Sequence, residues 1–366
     1  MLSRARAWSE LKGMVGLRYL RYKKHADAYY KGNMLRILRV EGWFDYLKEE
    51  RTVEEIANRY NYTDLTLLNE ILNILTKEDI LQTKAGKYQN GSNLVEGLLL
   101  ADTYLEEGQQ SLYLSETLLD IYSRYAEAMP LRLRGRYIHS LAGVNLFNWD
   151  DALTKTNFET LWRCAFSFAQ PLDRSGRFLH AGCYNGYITA AIWVSCLERG
   201  FFDDPSNPME IIGIHHDLDL LQIAKEEFNH LVIEFCQNNQ KNGTETAEKI
   251  QSYTDFFPKF IHNSVENIQL ESNSLDRVYV SQILQWVNTE QAIREVVRVT
   301  KPGGMIFGDQ TFLGIINEYN NLLYRVIEGA TGHVTKQEFL AYLERAGVEK
   351  KQIAISTPAS VFKIIK

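Results

Sequence analysis

From about residue 175 the chain alternates short apolar runs with amphipathic segments, and that alternation leaves few folds open to it. Arg177–Ala181 reads as a strand and Tyr187–Leu197 as the helix after it; Glu210–Ile214 and Asp219–Phe235 repeat the pair. Phe257–His262 and Leu275–Ser281 are two more strands. A helix over Glu290–Thr300, a turn at Lys301-Pro302-Gly303-Gly304 and a strand over Met305–Gly308 come next. A helix over Lys336–Ala346 and strands over Gln352–Ser356 and Ser360–Ile365 close the pattern. Strands separated by helices cannot pair as hairpins, so the spacing predicts a largely parallel sheet with helices on both faces. Ligands of such sheets sit beyond the carboxyl ends of the strands, where the first strand turns into its helix.

The first half has a different rhythm. Residues 1–30 carry Arg4, Arg6, Lys12, Arg18, Arg21, Lys23 and Lys24 beside a helical stripe of Leu2, Ala5, Trp8, Leu11, Val15, Tyr19 and Tyr22. This reads as a basic amphipathic helix that packs on the protein or on a second subunit; contact with a membrane surface through residues 1–24 is the less favoured reading. Residues 31–95 form a compact unit. It has a helix around Met34–Arg39, a helix capped by Thr52 with Glu55 at the capping-box position, and a third helix over Asp64–Thr76. Ile80–Thr83 and Lys87–Gln89 flank a Lys-Ala-Gly turn and read as a small wing. Asp64–Thr76 contains Asp64 and Glu70 but no Lys or Arg, the wrong chemistry for a helix in a DNA groove, so no nucleic-acid partner is expected. Residues 96–170 read as a helical linker or cap, with helices over Leu118–Met129 and Phe158–Ala169, broken by Pro130 and by Gly143–Asp150. Residues 171–366 form the large domain.

Composition removes several function classes. The 366 residues carry a formal net charge of −6, which argues against bulk attraction to nucleic acid. Cys164, Cys183, Cys196 and Cys236 show neither CxxC pairing nor a His at zinc-ligand spacing, so no metal site is expected and a reducing cytoplasm is the natural location. No apolar run approaches the roughly 18–20 residues that span a bilayer.

The turn after the first strand reads His180-Ala181-Gly182-Cys183-Tyr184-Asn185-Gly186, with glycines that let a ligand approach the backbone and a helix N-terminus that offers free N–H groups. Further on stand Ser264-Val265-Glu266-Asn267, Ser274-Leu275-Asp276 and Arg298-Val299-Thr300-Lys301-Pro302-Gly303-Gly304. Together these motifs resemble the class I S-adenosylmethionine-dependent methyltransferases of the methyltransferase type 11 group. The unit before them resembles the winged-helix dimerisation domain of small-molecule O-methyltransferases. The resemblance implies an α/β, Rossmann-like class I methyltransferase fold with a mostly parallel seven-stranded sheet, behind an N-terminal all-helical winged-helix-like domain. It also implies S-adenosylmethionine as cofactor, a small-molecule acceptor reached through O or N, and a homodimer.

The cofactor residues it implies are His180, Gly182, Tyr184 and Gly186 on the first turn. His215, His216 and Asp217 follow the second strand, and Ser264, Val265 and Glu266 lie near the adenine, with Ser281 at the end of the fourth strand. Gln285, Trp286, Asp309 and Gln310 would line the acceptor side, and Asp309 could instead cap a helix starting near Phe312. His333 reads as a cap or surface residue.

Several of these positions depart from the family. His180 and His215 stand where it places carboxylates, Tyr184 where it places glycine, Ser264 where it has Asp, and Gln285 where O-methyltransferases often carry a His base. A carboxylate accepts two hydroxyls more strongly than a neutral imidazole does. If His215 titrates near its ordinary pKa of about 6.5, ligand binding weakens as pH falls from 8 to about 5.5, unless Asp217 takes over the sugar. The alternative function is a non-catalytic or cofactor-repurposed protein on the same fold, acting as a binding or assembly partner.

Overall fold

The computed structural model describes residues 20–110, 116–137, 158–239, 250–314, 318–356 and 360–366. The basic segment up to residue 19 and the Gly143–Asp150 break lie outside them. The chain divides into two compact units. Residues 160–311 and 335–366 belong to one; the N-terminal helices and residues 312–334 belong to the other.

In the N-terminal unit the helices are α1 (Leu20–Val40), α2 (Trp43–Tyr46), α3 (Val53–Tyr60), α4 (Leu65–Lys77), α5 (Leu94–Gln109) and α6 (Glu116–Leu133). Thr52 and Glu55 form the expected capping box on α3, and Asp64 caps α4 by accepting from the Leu67 amide at 2.9 Å. Strands β1 (Arg51–Thr52), β2 (Leu81–Lys84) and β3 (Lys87–Asn90) make a small antiparallel sheet in the order β1-β3-β2, so the unit is not all-helical. Pro130 does not end its helix; α6 runs through it to Leu133. Leu67, Leu68, Ile71, Leu72, Ile74 and Leu75 of α4 are buried. Glu70 on the same helix receives both of its hydrogen bonds from Arg325, at 3.1 Å.

The larger unit holds α7 (Phe158–Ala169), β4 (Arg177–Ala181), α8 (Tyr187–Glu198), β5 (Glu210–His215), α9 (Leu218–Asn239), β6 (Lys259–His262) and β7 (Leu275–Ser281). It continues with α10 (Thr289–Val299) and β8 (Thr300–Asp309). After α11 (Glu318–Tyr324), which falls in the other unit, come α12 (Lys336–Arg345), β9 (Ile353–Ser356) and β10 (Val361–Ile365). The seven strands order as β6-β5-β4-β7-β8-β10-β9, all parallel except β10. The order reverses between β4 and β7, and that reversal opens a crevice at their carboxyl ends.

One face of the central strands carries Phe178, Tyr279 and Phe307, closed by Phe166 of α7 at ring distances of 5.0 to 6.4 Å. Beyond the other strands Trp193 of α8 packs on Phe202, Phe228 and Phe257. Burying rings of this size is the main stabilising contribution in such a core.

The Lys301-Pro302-Gly303-Gly304 segment is not a separate turn before a strand. It is a bulge inside β8: Leu275 pairs with Thr300 and Arg277 with Met305, so the partner strand advances two residues while β8 advances five. Pro302 has no N–H for the ladder and Gly303 sits at φ 76, which together expel the extra residues. The Arg298 of the same motif ties α10 to the preceding loop. Its guanidinium donates to Glu295 and to the carbonyls of Ile268 and Leu270, while Glu295 accepts from the Ile268 amide at 2.8 Å.

Further along β8, the backbone of Gly308 lies so close to its neighbour that a β-carbon there would overlap the carbonyl of Val280, at 1.6 Å. Gly308→Ala should therefore force β7 and β8 apart and cost about 3 kcal/mol or more, the upper range for overpacking. Urea denaturation would show it; a variant as stable as the parent would mean that the two strands are not paired in this register.

Candidate functional site

The turn that joins β4 to α8 is built on positive backbone angles: Gly182 at φ 79, Tyr184 at 48 and Gly186 at 85. The Gly182 and Cys183 amides both donate to the Ile214 carbonyl of β5, each at 2.9 Å. Gly186 donates to the Cys183 carbonyl at 2.9 Å, and Tyr187 to the Asn185 side chain at 3.3 Å. These four amides are taken up within the protein, while no side chain caps the first turn of α8 at Gly186. The space beside Gly182 is also filled, since a β-carbon there would meet Ile283 Cγ1 at 2.9 Å. Glycine serves the turn itself. Tyr184 has no such freedom, and a side chain in the left-handed region costs about 1–2 kcal/mol. Its phenol is tied down nonetheless: the hydroxyl donates to the Gln282 carbonyl at 3.1 Å and the ring lies 5.3 Å from that of His215.

The two histidines that replace carboxylates are buried, at 1% exposure for His180 and 3% for His215. His180 Nδ1 shares a hydrogen bond with Thr189 Oγ1 at 2.8 Å, and its ring lies 5.1 Å from that of Tyr279. His215 Nδ1 accepts from the Asp217 amide at 3.0 Å, so its proton sits on Nε2. Among the described residues, neither His180 Nε2 nor His215 Nε2 has a partner. His215 is therefore a buried donor at the end of β5, not the acceptor that stood in for a carboxylate. Asp217 is engaged as a cap: its Oδ1 accepts from Asp219 at 3.0 Å and Leu220 at 3.1 Å at the start of α9. His216 is exposed, its ring 4.8 Å from that of His215, and its carbonyl accepts from His262 Nε2 at 2.9 Å.

On the adenine side expected from the sequence, Val265 is buried and Ser264 is held in a local turn, accepting from the Glu266 amide at 3.1 Å. Glu266 itself accepts from the Asn288 amide at 2.9 Å, and so braces the start of α10.

Across the crevice a polar network closes the ends of β7 and β8. Asp309 is fully buried and accepts from Ser281 Oγ at 2.8 Å, Gln282 Nε2 at 3.0 Å and Tyr279 Oη at 3.4 Å. Burial pushes its carboxyl up to about 6, against the pull of the three donors. It caps no helix, for none begins near Phe312 among the described residues. The Gln282 carbonyl accepts from Tyr184, from Gln285 Nε2 at 2.8 Å and from Trp286 Nε1 at 3.1 Å. Gln310 Nε2 donates to Gln285 Oε1 at 3.0 Å, leaving Gln310 Oε1 buried without a partner. Trp286 is half-buried.

Gln282 is the residue that sequence reasoning missed. Its left-handed backbone, φ 44, follows from its contacts and leaves no mark in a Ser-Gln-Ile-Leu string. His333 lies in the other unit and is buried, 4.8 Å from the Tyr324 ring, so it is not a surface residue. A separate cavity of about 60 Å³ between α7 and α8, lined by Trp162, Phe166, Ile192 and Phe235 among others, involves none of the expected site residues.

With this geometry in place, comparison with known proteins defines the class. Residues 179–308 match the family described as a methyltransferase domain. The chain has a class I methyltransferase fold, and residues 179–308 are similar to a methyltransferase domain. An uncharacterized methyltransferase of Mycobacterium tuberculosis is 34% identical over 91 residues, which span 24% of this chain and 37% of that protein. The solved CurJ carbon methyltransferase is 16% identical with a TM-score of 0.59, covering 100% of this chain and 99% of that one. The DszA carbon methyltransferase is 13% identical with a TM-score of 0.61, covering 98% and 93%. At these identities the likeness to the two structures is one of fold.

The buried imidazoles set the pH response. Burial, reinforced by the neighbouring histidine in each case, pushes His180 and His215 down to about 3. His215 thus does not titrate between pH 8 and 5.5, and the binding loss expected there on its account is withdrawn. In the unfolded chain both protonate near 6.5. Below that pH the native state binds fewer protons, so their contribution to stability is intact above about 6.5 and is lost as pH falls toward 3. His215→Asn keeps an acceptor for the Asp217 amide and removes the titrating group. Its unfolding free energy should fall less steeply between pH 6 and 4, by roughly one proton or about 1.4 kcal/mol per pH unit. Parallel curves in denaturant titrations would mean that His215 is protonated in the native state.

Proposed function

We propose that this chain is an S-adenosylmethionine-dependent methyltransferase acting on a small or medium-sized molecule. The observation that carries the reading is that the matched segment, 179–308, spans β4, β5, β7 and β8, the four strands whose ends frame the crevice. The two structural neighbours are carbon methyltransferases, so carbon joins oxygen and nitrogen as a candidate acceptor atom.

When bound, S-adenosylmethionine supplies an electrophilic methyl group on a positively charged sulfur. The protein's part is alignment and exclusion of water, which provide much of the acceleration in such displacements. His215 Nε2–H fits a sugar hydroxyl as donor, with Val265 against the base. Gln310 Oε1, buried without a partner, fits an N–H or O–H of the acceptor. Gln285 cannot take a proton at neutral pH, so an acceptor that ionises readily is favoured over a simple alcohol.

A second reading, a ligand-binding protein on the same fold without methyl transfer, is favoured by one observation: Tyr184 lies against His215, where a sugar would be held. Calorimetric titration with S-adenosylmethionine and S-adenosylhomocysteine separates the two. Micromolar binding supports the enzyme, and a labelled-methyl assay over phenols, amines and 1,3-dicarbonyl compounds then identifies the acceptor. No binding at millimolar ligand favours the second reading.

We also propose a homodimer through the N-terminal unit, in a reducing cytoplasm. The exposed Val95 and Leu99 on one side of α5, at 70% and 68%, support it, and the four free cysteines are consistent with a reducing compartment. Light scattering should give about twice the 42.3 kDa chain mass; a monomer at every concentration would reject the dimer.

A further inference from the structure

The crevice between β4 and β7 has three rims: the turn after β4, the end of β5 and the turn after β7. One side chain reaches all three. Tyr184 belongs to the first through its backbone, packs on the His215 ring of the second at 5.3 Å, and donates to the Gln282 carbonyl of the third at 3.1 Å. It does so at φ 48, a backbone angle that suits glycine and disfavours a side chain. Beside its ring, His215 Nε2 is a buried donor with no acceptor among the described residues, an arrangement that calls for a ligand or a strained alternative.

We propose that Tyr184 is the specificity-determining residue of this crevice: its ring occupies the space of a nucleoside's sugar, and only a ligand that turns it out reaches His215 Nε2–H. The proposal rests on the methyl-donor reading for the identity of the ligand, but not for the plug itself. Opening breaks the hydrogen bond to Gln282 and the ring contact with His215, among others, and leaves the turn in place, because the Gly182 and Cys183 amides are held by the Ile214 carbonyl and not by the phenol. While the closed form dominates, apparent affinity is reduced by the fraction of molecules that are open.

Tyr184→Gly removes the ring and suits the backbone angle; Tyr184→Phe keeps the ring and removes the hydroxyl bond. Two measurements on the full chain read the outcome. The first is modification of His215 by diethyl pyrocarbonate, followed by peptide mass mapping. It should be slow in the parent, up to about tenfold faster in Tyr184→Phe, the size expected when one hydrogen bond no longer holds the closed state, and faster still in Tyr184→Gly, which has no ring to close. The second is calorimetric titration with S-adenosylhomocysteine, which Tyr184→Gly should bind on the order of tenfold more tightly than the parent does. Unchanged His215 reactivity in Tyr184→Gly overturns the plug whatever binds. Increased reactivity with equal S-adenosylhomocysteine affinity in parent and glycine variant overturns its role in specificity. Increased reactivity with no binding in any of the three proteins supports the plug and rejects the methyl-donor reading.

Discussion

One carbonyl oxygen organises the crevice. Ile214, at the penultimate position of β5, accepts from the two successive amides of Gly182 and Cys183, and so fixes the path of the chain as it leaves β4. From that anchor the backbone must take three alternate left-handed residues before α8 can begin. Two are glycines and adopt the angle freely; the third is Tyr184, which tolerates it because its phenol is held on the far side of the crevice. The positions of His180, Tyr184 and the start of α8 all follow from this turn.

The opposite wall depends on a buried carboxylate. Burial pushes the Asp309 carboxyl up to about 6, and three donors from β7 and its turn oppose that shift. Through Gln282 the network extends to Tyr184, Gln285 and Trp286, so the two walls are joined by hydrogen bonds to one carbonyl. The residues that carry the family resemblance lie mostly outside this wall. Glu266 braces α10, Arg298 and Glu295 tie α10 to the loop at Ile268, and Lys301-Pro302-Gly303-Gly304 forms the bulge that lets β8 begin. They are signatures of the architecture more than of the chemistry.

That division explains why the crevice departs from the family while the fold does not. With His180 and His215 at positions where the sequence resemblance implies carboxylates, both rings are neutral across the physiological range, and His215 offers a donor in place of an acceptor. A neutral imidazole does not attract a positive charge as a carboxylate does.

The alternation of apolar runs was enough to read the strands and helices of the larger unit: β4 and β7 were legible to the residue, because apolar periodicity and glycine punctuation are local properties. The capping box of Thr52 and Glu55 was legible for the same reason. What the string could not carry was any role that depends on a partner far along the chain. Asp217 and His215 are two residues apart, yet which caps a helix and which is a buried donor depends on where β5 ends. Lys301-Pro302-Gly303-Gly304 reads as a turn until β7 is laid beside it and makes it a bulge. Tyr184 reads as a lost glycine; that it spans a crevice to Gln282, 98 residues away, is decided by the strand order that brings those two turns together. Local chemistry sets what each segment can form, and only the folded sheet sets what each side chain meets.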